Sequence, residues 1–141
     1  MERISFEEMF LDVAKVIAQR STCPRAQVGA VITVDNRIVA TGYNGTWAGY
    51  PHCTEIGCLI IPEEGDHCQR AIHAETNAIA QAARLGTAID GATLYYWDSK
   101  NREVGSCFKC LQLMRAAGIR IIVDSHLRAV RLLDYREYPG G

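Results

Sequence analysis

Hydrophobic positions along the chain recur with two different periods, and the changes between them mark the elements. The opening "SFEEMFLDVAKVIAQRS" places Phe6, Met9, Phe10, Val13, Val16 and Ile17 at helical spacing, with Ser5 and Glu8 in a capping-box pattern at its start. Phe6 and Phe10 are read as core. The β-branched run "VGAVITVDNRIVATGYNG" predicts two strands around an Asp35-Asn36 turn, a hairpin. From Tyr43 to Gln69 the chain is rich in Gly, Pro and Cys and keeps no sustained period. A helix from His73 to Leu85, closed by Gly86, comes next, then the strand "ATLYYW". Of Tyr95, Tyr96 and Trp97, alternate residues face opposite sides of the sheet, so one can approach a pocket. A helix from about Cys107 to Ala117, ended by Gly118, and the strand "IRIIV" complete the pattern. The tail "SHLRAVRLLDYREYPGG" is expected to include a short last helix. The order predicts a single α/β domain over residues 1–141, with helices on the faces of one mixed sheet.

Composition changes this picture in two places. A net charge of −1 argues against a life on long nucleic acids, which leave a basic footprint. The start "MERISFEEMF" has no apolar h-region and no run approaches a membrane span, so a cytoplasmic location is expected. In that setting the six cysteines read as metal ligands or buried thiols rather than disulfides.

The chemistry concentrates at two helix starts. Cys107 and Cys110, in "SCFKC", lie at i and i+3, so both sulfurs can face one ion, and a helix N-terminus favours thiolate. Alone this spacing also suits a thioredoxin-like redox site. His73 and Glu75, in "HAE", lie two residues apart and share no helix face. An ion placed end-on to the helix resolves the difficulty, since residues of the first turn can converge around the axis. His73, Cys107 and Cys110 then give three ligands and leave a position for water, as catalytic zinc requires. Glu75 is the unligated acid that moves the proton. H-x-E followed by C-x-x-C on successive helices is the pattern of zinc deaminases. The plainer alternatives are a helix-start ion pair or cap for His73 and Glu75 and a buried apolar pair for the cysteines.

With these motifs in place the chain resembles the cytidine deaminase superfamily, and within it the deoxycytidylate (dCMP) deaminases. "RSTCPRAQVGAVI", "NRIVATGYNGT", "HAETNAIAQAA", "GATLYY" and "AGIRIIV" occur in family order, and "GYNG" is particularly like the dCMP branch. The resemblance implies a three-layer α/β/α sandwich on a mixed five-stranded sheet. It implies zinc at His73, Cys107 and Cys110, with Glu75 as proton shuttle. It further implies that the Ala74 N–H contacts the pyrimidine carbonyl, that Asn44 contacts the sugar, and that Arg25 and Arg128 lie near the phosphate. The expected reaction is dCMP plus water to dUMP plus ammonia. A homo-oligomer, often a hexamer, is also implied, with control by dCTP and dTTP and Mg2+ accompanying an allosteric nucleotide.

Two departures bear on base identity. Ser106 stands where the family has Pro, and "WDSKNREVGSC" is longer than the family's strand-to-helix loop. A modified cytosine nucleotide or another aminated nucleobase therefore stays open, as does a zinc-stabilised binding module without turnover. Cys23, Cys53, Cys58 and Cys68 remain, and some family members hold a closed second zinc in this region. These four are the preferred ligands, with His67 as substitute, because a long segment without secondary structure needs ordering. Trp47, Tyr43 and Tyr50 either cover a nucleotide or pack the loop on the sheet.

Overall fold

The computed structural model describes residues 1–65, 68–102 and 108–132. Helix α1 (Phe6–Ala18) begins at Ser5, whose Oγ accepts from the Glu8 N–H at 3.1 Å. The hairpin β1 (Val28–Val34) and β2 (Arg37–Tyr43) turns through Asp35 and Asn36, with φ of 50° and 58°. Two left-handed residues make the mirror-image turn whose twist matches paired strands, and Asp and Asn tolerate that conformation. A short helix α2 (Cys53–Ile56) and a 3-10 turn (Pro62–Glu64) lie in the aperiodic segment. Then follow α3 (Ala74–Leu85), β3 (Thr93–Asp98), α4 (Phe108–Ala116), β4 (Ile121–Val123) and β5 (Ala129–Arg131).

The five strands form one sheet in the order β2-β1-β3-β4-β5. Only β3 and β4 run parallel, joined through α4; the other neighbours are antiparallel. The first part of the tail, where a short last helix was expected to lie somewhere, holds the strand β5. Ala129–Arg131 pair with β4, which leaves no room for helical hydrogen bonding there. Residues 133–141 lie outside the described residues.

Strand alternation divides the core into two clusters. Val28, Ala30, Ile32, Leu94, Tyr96 and Ile122 face α3 and α4, meeting Ala74, Ala78, Ala82, Cys110 and Met114. Val31, Tyr95 and Val123 face the opposite side, meeting Phe10, Leu11 and Ala14 of α1. That is the three-layer sandwich. Both helix contacts depend on missing side chains. A Cβ on Gly29 would lie 2.0 Å from the Ala14 carbonyl oxygen, and one on Gly42 would lie 2.4 Å from both Ala74 O and Ala78 N.

The α1 contact overturns one expectation. The helix turns Phe10, Leu11, Ala14 and Ala18 inward, while Phe6 is 47% and Val16 61% exposed. Small residues are needed where α1 meets bare backbone at Gly29, and this rotates the larger apolar positions away. Phe6 stacks on Phe10 at 5.9 Å between ring centroids instead of entering the core. No helix among the described residues is long and apolar enough to cross a membrane.

Gly42→Ala is expected to destabilise the fold by about 1–3 kcal/mol through overpacking. Urea unfolding would show a lower midpoint at an unchanged m-value, and an unchanged midpoint would mean that α3 can lift off the strand without cost.

Candidate active site

His73 is the N-cap of α3, with extended backbone (φ −67°, ψ 152°), and the helix proper begins at Ala74. This explains the i, i+2 spacing. His73 stands outside the helix while Glu75 lies in its first turn, so the two side chains need not share a face to converge. The helix start is held by Gly42 beneath it and by Asn77, whose Nδ2 donates to the Tyr43 carbonyl at 2.8 Å.

His73 Nδ1 lies 3.1 Å from Cys110 Sγ, in the first turn of α4. Ligand atoms of His73, Glu75 and Cys110 all fall within 4.8 Å of one another. An imidazole nitrogen and a thiol sulfur suit zinc, and Cys110 sits three residues after Cys107 for a further sulfur. Cys107 itself lies outside the described residues, as do Ser106 and His67.

Glu75 is buried, and its carboxyl is pushed above the usual range by loss of water. Its own N–H, His73 and Cys110 oppose that rise without cancelling it. Buried, raised and beside a candidate metal position, it has the character of a proton carrier.

A cavity of about 160 Å³ opens over these groups. Ala74, Asn44, Arg25, Val28 and Tyr96 line it beside His73 and Glu75. Asn44 is braced at both ends. Its Oδ1 accepts from the Val28 N–H at 2.9 Å and its Nδ2 donates to the Ala26 carbonyl at 2.8 Å. One Nδ2 hydrogen and one Oδ1 lone pair are left for a ligand. Arg128 is placed differently. Its Nε donates to Asp124 Oδ2 at 3.0 Å and its N–H to Oδ1 at 3.1 Å, and it is not among the residues lining this cavity. Trp47 is exposed and packs on Tyr50 at 5.1 Å, and neither lines the cavity.

Sequence reading missed the group behind Tyr96. Tyr96 Oη donates to Asp98 Oδ2 at 2.9 Å, and Arg102 Nε donates to the same oxygen at 2.7 Å. The signal was present. Strand alternation puts Asp98 on the face of Leu94 and Tyr96, so a carboxylate there must find partners inside.

The four remaining described cysteines besides Cys110 gather at one side. Cys53 and Cys68 lie 4.0 Å apart at sulfur, and the Cys53 thiol is pushed up to about 11 by burial and by Cys68, Cys58 and Cys23. Burial also acts on Cys68, yet the N–H groups of Leu59, Ala71 and Arg70 bring it down to about 7. Leu59 donates to its Sγ at 3.3 Å, beside an antiparallel bridge of Ile60 with Cys68. The aperiodic segment is thus ordered around sulfur.

A nitrogen–sulfur donor pair at two helix starts, with a buried acid beside it, places this sandwich among the zinc-dependent deaminases. The chain belongs to the cytidine and deoxycytidylate deaminase family, whose zinc-binding-region model matches residues 4–125. It is 41% identical over 139 residues to ComE operon protein 2 of Bacillus subtilis, covering 99% of this chain and 65% of that protein's length. It is 37% identical over 131 residues to the deoxycytidylate deaminase of Mycobacterium phage D29, covering 87% of this chain and 96% of that one. The crystal structure of cyanophage S-TIM5 dCMP deaminase in complex with dCMP and dUMP superposes with a TM-score of 0.69 at 27% identity, over 88% of this chain and 83% of that one.

The Arg128–Asp124 pair leads to a stability test. Asp124 is 3% exposed, and although burial raises its carboxyl, hydrogen bonds from the Arg128 and His126 N–H groups and the Arg128 side chain bring it below its usual value. A depressed folded-state pKa contributes stability above the unfolded value of about 3.9 and loses it as pH falls through the folded one. Asp124→Asn is therefore expected to cost about 1–3 kcal/mol at neutral pH. The deficit should shrink progressively below about pH 4. Parallel stability curves for wild type and variant across that window would refute the assignment.

Proposed function

We infer that this protein deaminates deoxycytidine monophosphate, converting dCMP and water to dUMP and ammonia. The observation that carries the reading is the gathering of His73, Glu75 and Cys110 within 4.8 Å of one another, with His73 and Glu75 lining a cavity. It is supported by relatives named as deoxycytidylate deaminases and by the S-TIM5 enzyme crystallised with dCMP and dUMP.

Zinc held by His73, Cys110 and Cys107 would supply Lewis-acid activation of a water molecule. Glu75 accepts the proton which that water gives up on attacking the ring carbon, and delivers it to the adjacent ring nitrogen. The same carboxyl then carries the remaining proton of that oxygen to the amino group, which leaves as ammonia as the new carbonyl forms. Burial suits Glu75 to both steps, because a carboxyl raised above its usual range holds a proton more readily between accepting and donating it. Ala74, at the first position of α3, offers a backbone N–H beside the cavity for the pyrimidine carbonyl. Asn44 offers its remaining amide hydrogen to the sugar, and Arg25 stands at the same wall for the phosphate. The position of Arg128, tied to Asp124, favours a role in bracing the turn after β4.

A second zinc is held by Cys23, Cys53, Cys58 and Cys68. The mutual influence of the four thiols and the N–H groups aimed at Cys68 support a thiolate cage. A homo-oligomer is supported by exposed Phe6, Met9 and Val16 along α1, an apolar stripe that a second copy would cover.

Glu75→Ala is expected to keep its zinc and fold while ammonia release from dCMP falls at least about 100-fold. Near wild-type turnover would exclude Glu75 as the shuttle, and no release by wild type from a broad panel of aminated nucleotides would favour a binding module. Metal analysis should give two zincs per chain, falling toward one in Cys53→Ala. One zinc in wild type would remove the second site.

A further inference from the structure

The loop after β3 carries a cation arrangement that the proposed reaction has not used. Asp98 ends β3 with no exposed surface. Its Oδ2 accepts from Tyr96 Oη and Arg102 Nε, and its Oδ1 accepts from the Lys100 N–H at 2.8 Å. A carboxylate in that position is costly unless paired, and Arg102 supplies the pairing charge. The turn itself is fixed. Asn101 is left-handed (φ 53°) and its N–H donates to the Asp98 carbonyl at 3.0 Å. Ser99 N–H donates to the Gln27 carbonyl at 2.9 Å, and Gln27 N–H donates to Ser99 Oγ at 3.0 Å. The turn is thereby stitched to the segment that carries Arg25.

Arg102 spends only Nε on this latch. Its side chain is 49% exposed, and it lines the cavity that holds His73 and Glu75. Asp98 is its partner among the described residues, which leaves the Nη1/Nη2 end of the guanidinium for a ligand. Lys100 and Arg25 line the same cavity. Three cationic residues thus face a cavity whose lining includes one carboxylate, Glu75. Such a wall recognises an anion. An arginine fixed from behind and offering its fork forward suits a phosphate monoester, because the planar donors match two phosphate oxygens.

We propose that Arg102, positioned by Asp98 and flanked by Lys100, binds the substrate's phosphate and selects nucleoside monophosphates over nucleosides. This rests on the nucleotide-deaminase reading of the cavity and assigns its charge selectivity to the loop that is longer than the family's. Asp98 is a positioning residue. It touches no ligand, and it keeps Arg102 from folding back toward solvent.

The test measures binding, so that it does not depend on turnover. Calorimetric dissociation constants for dUMP and deoxyuridine are compared in zinc-loaded wild type, Arg102→Ala and Arg102→Lys. Arg102→Ala is expected to lose affinity for dUMP about tenfold more than for deoxyuridine, the scale of one charge-assisted hydrogen-bonding group. Arg102→Lys, which keeps the charge and loses the fork, should recover only part of that ratio. Asp98→Asn should lower the same ratio if it folds, and the two Arg102 variants decide the matter if it does not. A wild type that binds dUMP no better than deoxyuridine, or an Arg102→Ala that loses both equally, would overturn the proposal. Ammonia release from dCMP, assayed separately in wild type, judges the deaminase reading on its own.

Discussion

The contact between α3 and the bare backbone of β2 at Gly42 positions everything else in the site. Ala74 and Ala78 approach so closely that a single methyl group would collide with both. That closeness brings the helix start to the sheet's end, leaves His73 outside the helix as its cap, and turns Glu75 inward. Cys110 meets His73 from α4, which packs in the same cluster. Local chemistry at the two helix ends is thus a result of packing between small residues some distance from it.

Two buried carboxylates lie near one another at this site, and the fold treats them oppositely. Asp98 is surrounded by donors, including a guanidinium. Glu75 is paired with no guanidinium among the described residues and is instead raised by burial, with Asp98 adding to the effect. Separating the environments of paired acids is how a protein assigns one to hold charge and the other to move protons. Tyr96 lies between them, its hydroxyl kept neutral by burial and by both acids.

Much of this was legible in the sequence because it rests on short-range pattern. The hairpin turn at Asp35-Asn36, the Ser5 cap and the closing Gly86 are local signals, and the structure places each where its spacing says. The H-x-E motif was legible as chemistry, although the cap position of His73 needed the backbone to be seen. What escaped depended on tertiary choice. Phe6 and Val16 fit a helical stripe as well as Leu11 and Ala14 do, and only the glycine contact decides which stripe goes in. The strand β5 is three residues long and forms because β4 offers an edge, which no local period announces. Nor does any local period announce that Asp124 pairs with Arg128, four residues later.

Cys23 and Cys68 belong at once to the sulfur cluster and to the wall of the reaction chamber. Modifying either one would disturb the chamber by bulk alone, through side chains that take no part in bond making. Loss of activity after alkylation or oxidation is therefore an ambiguous sign in this molecule, since damage to a scaffold and damage to a reactive centre would look alike from outside.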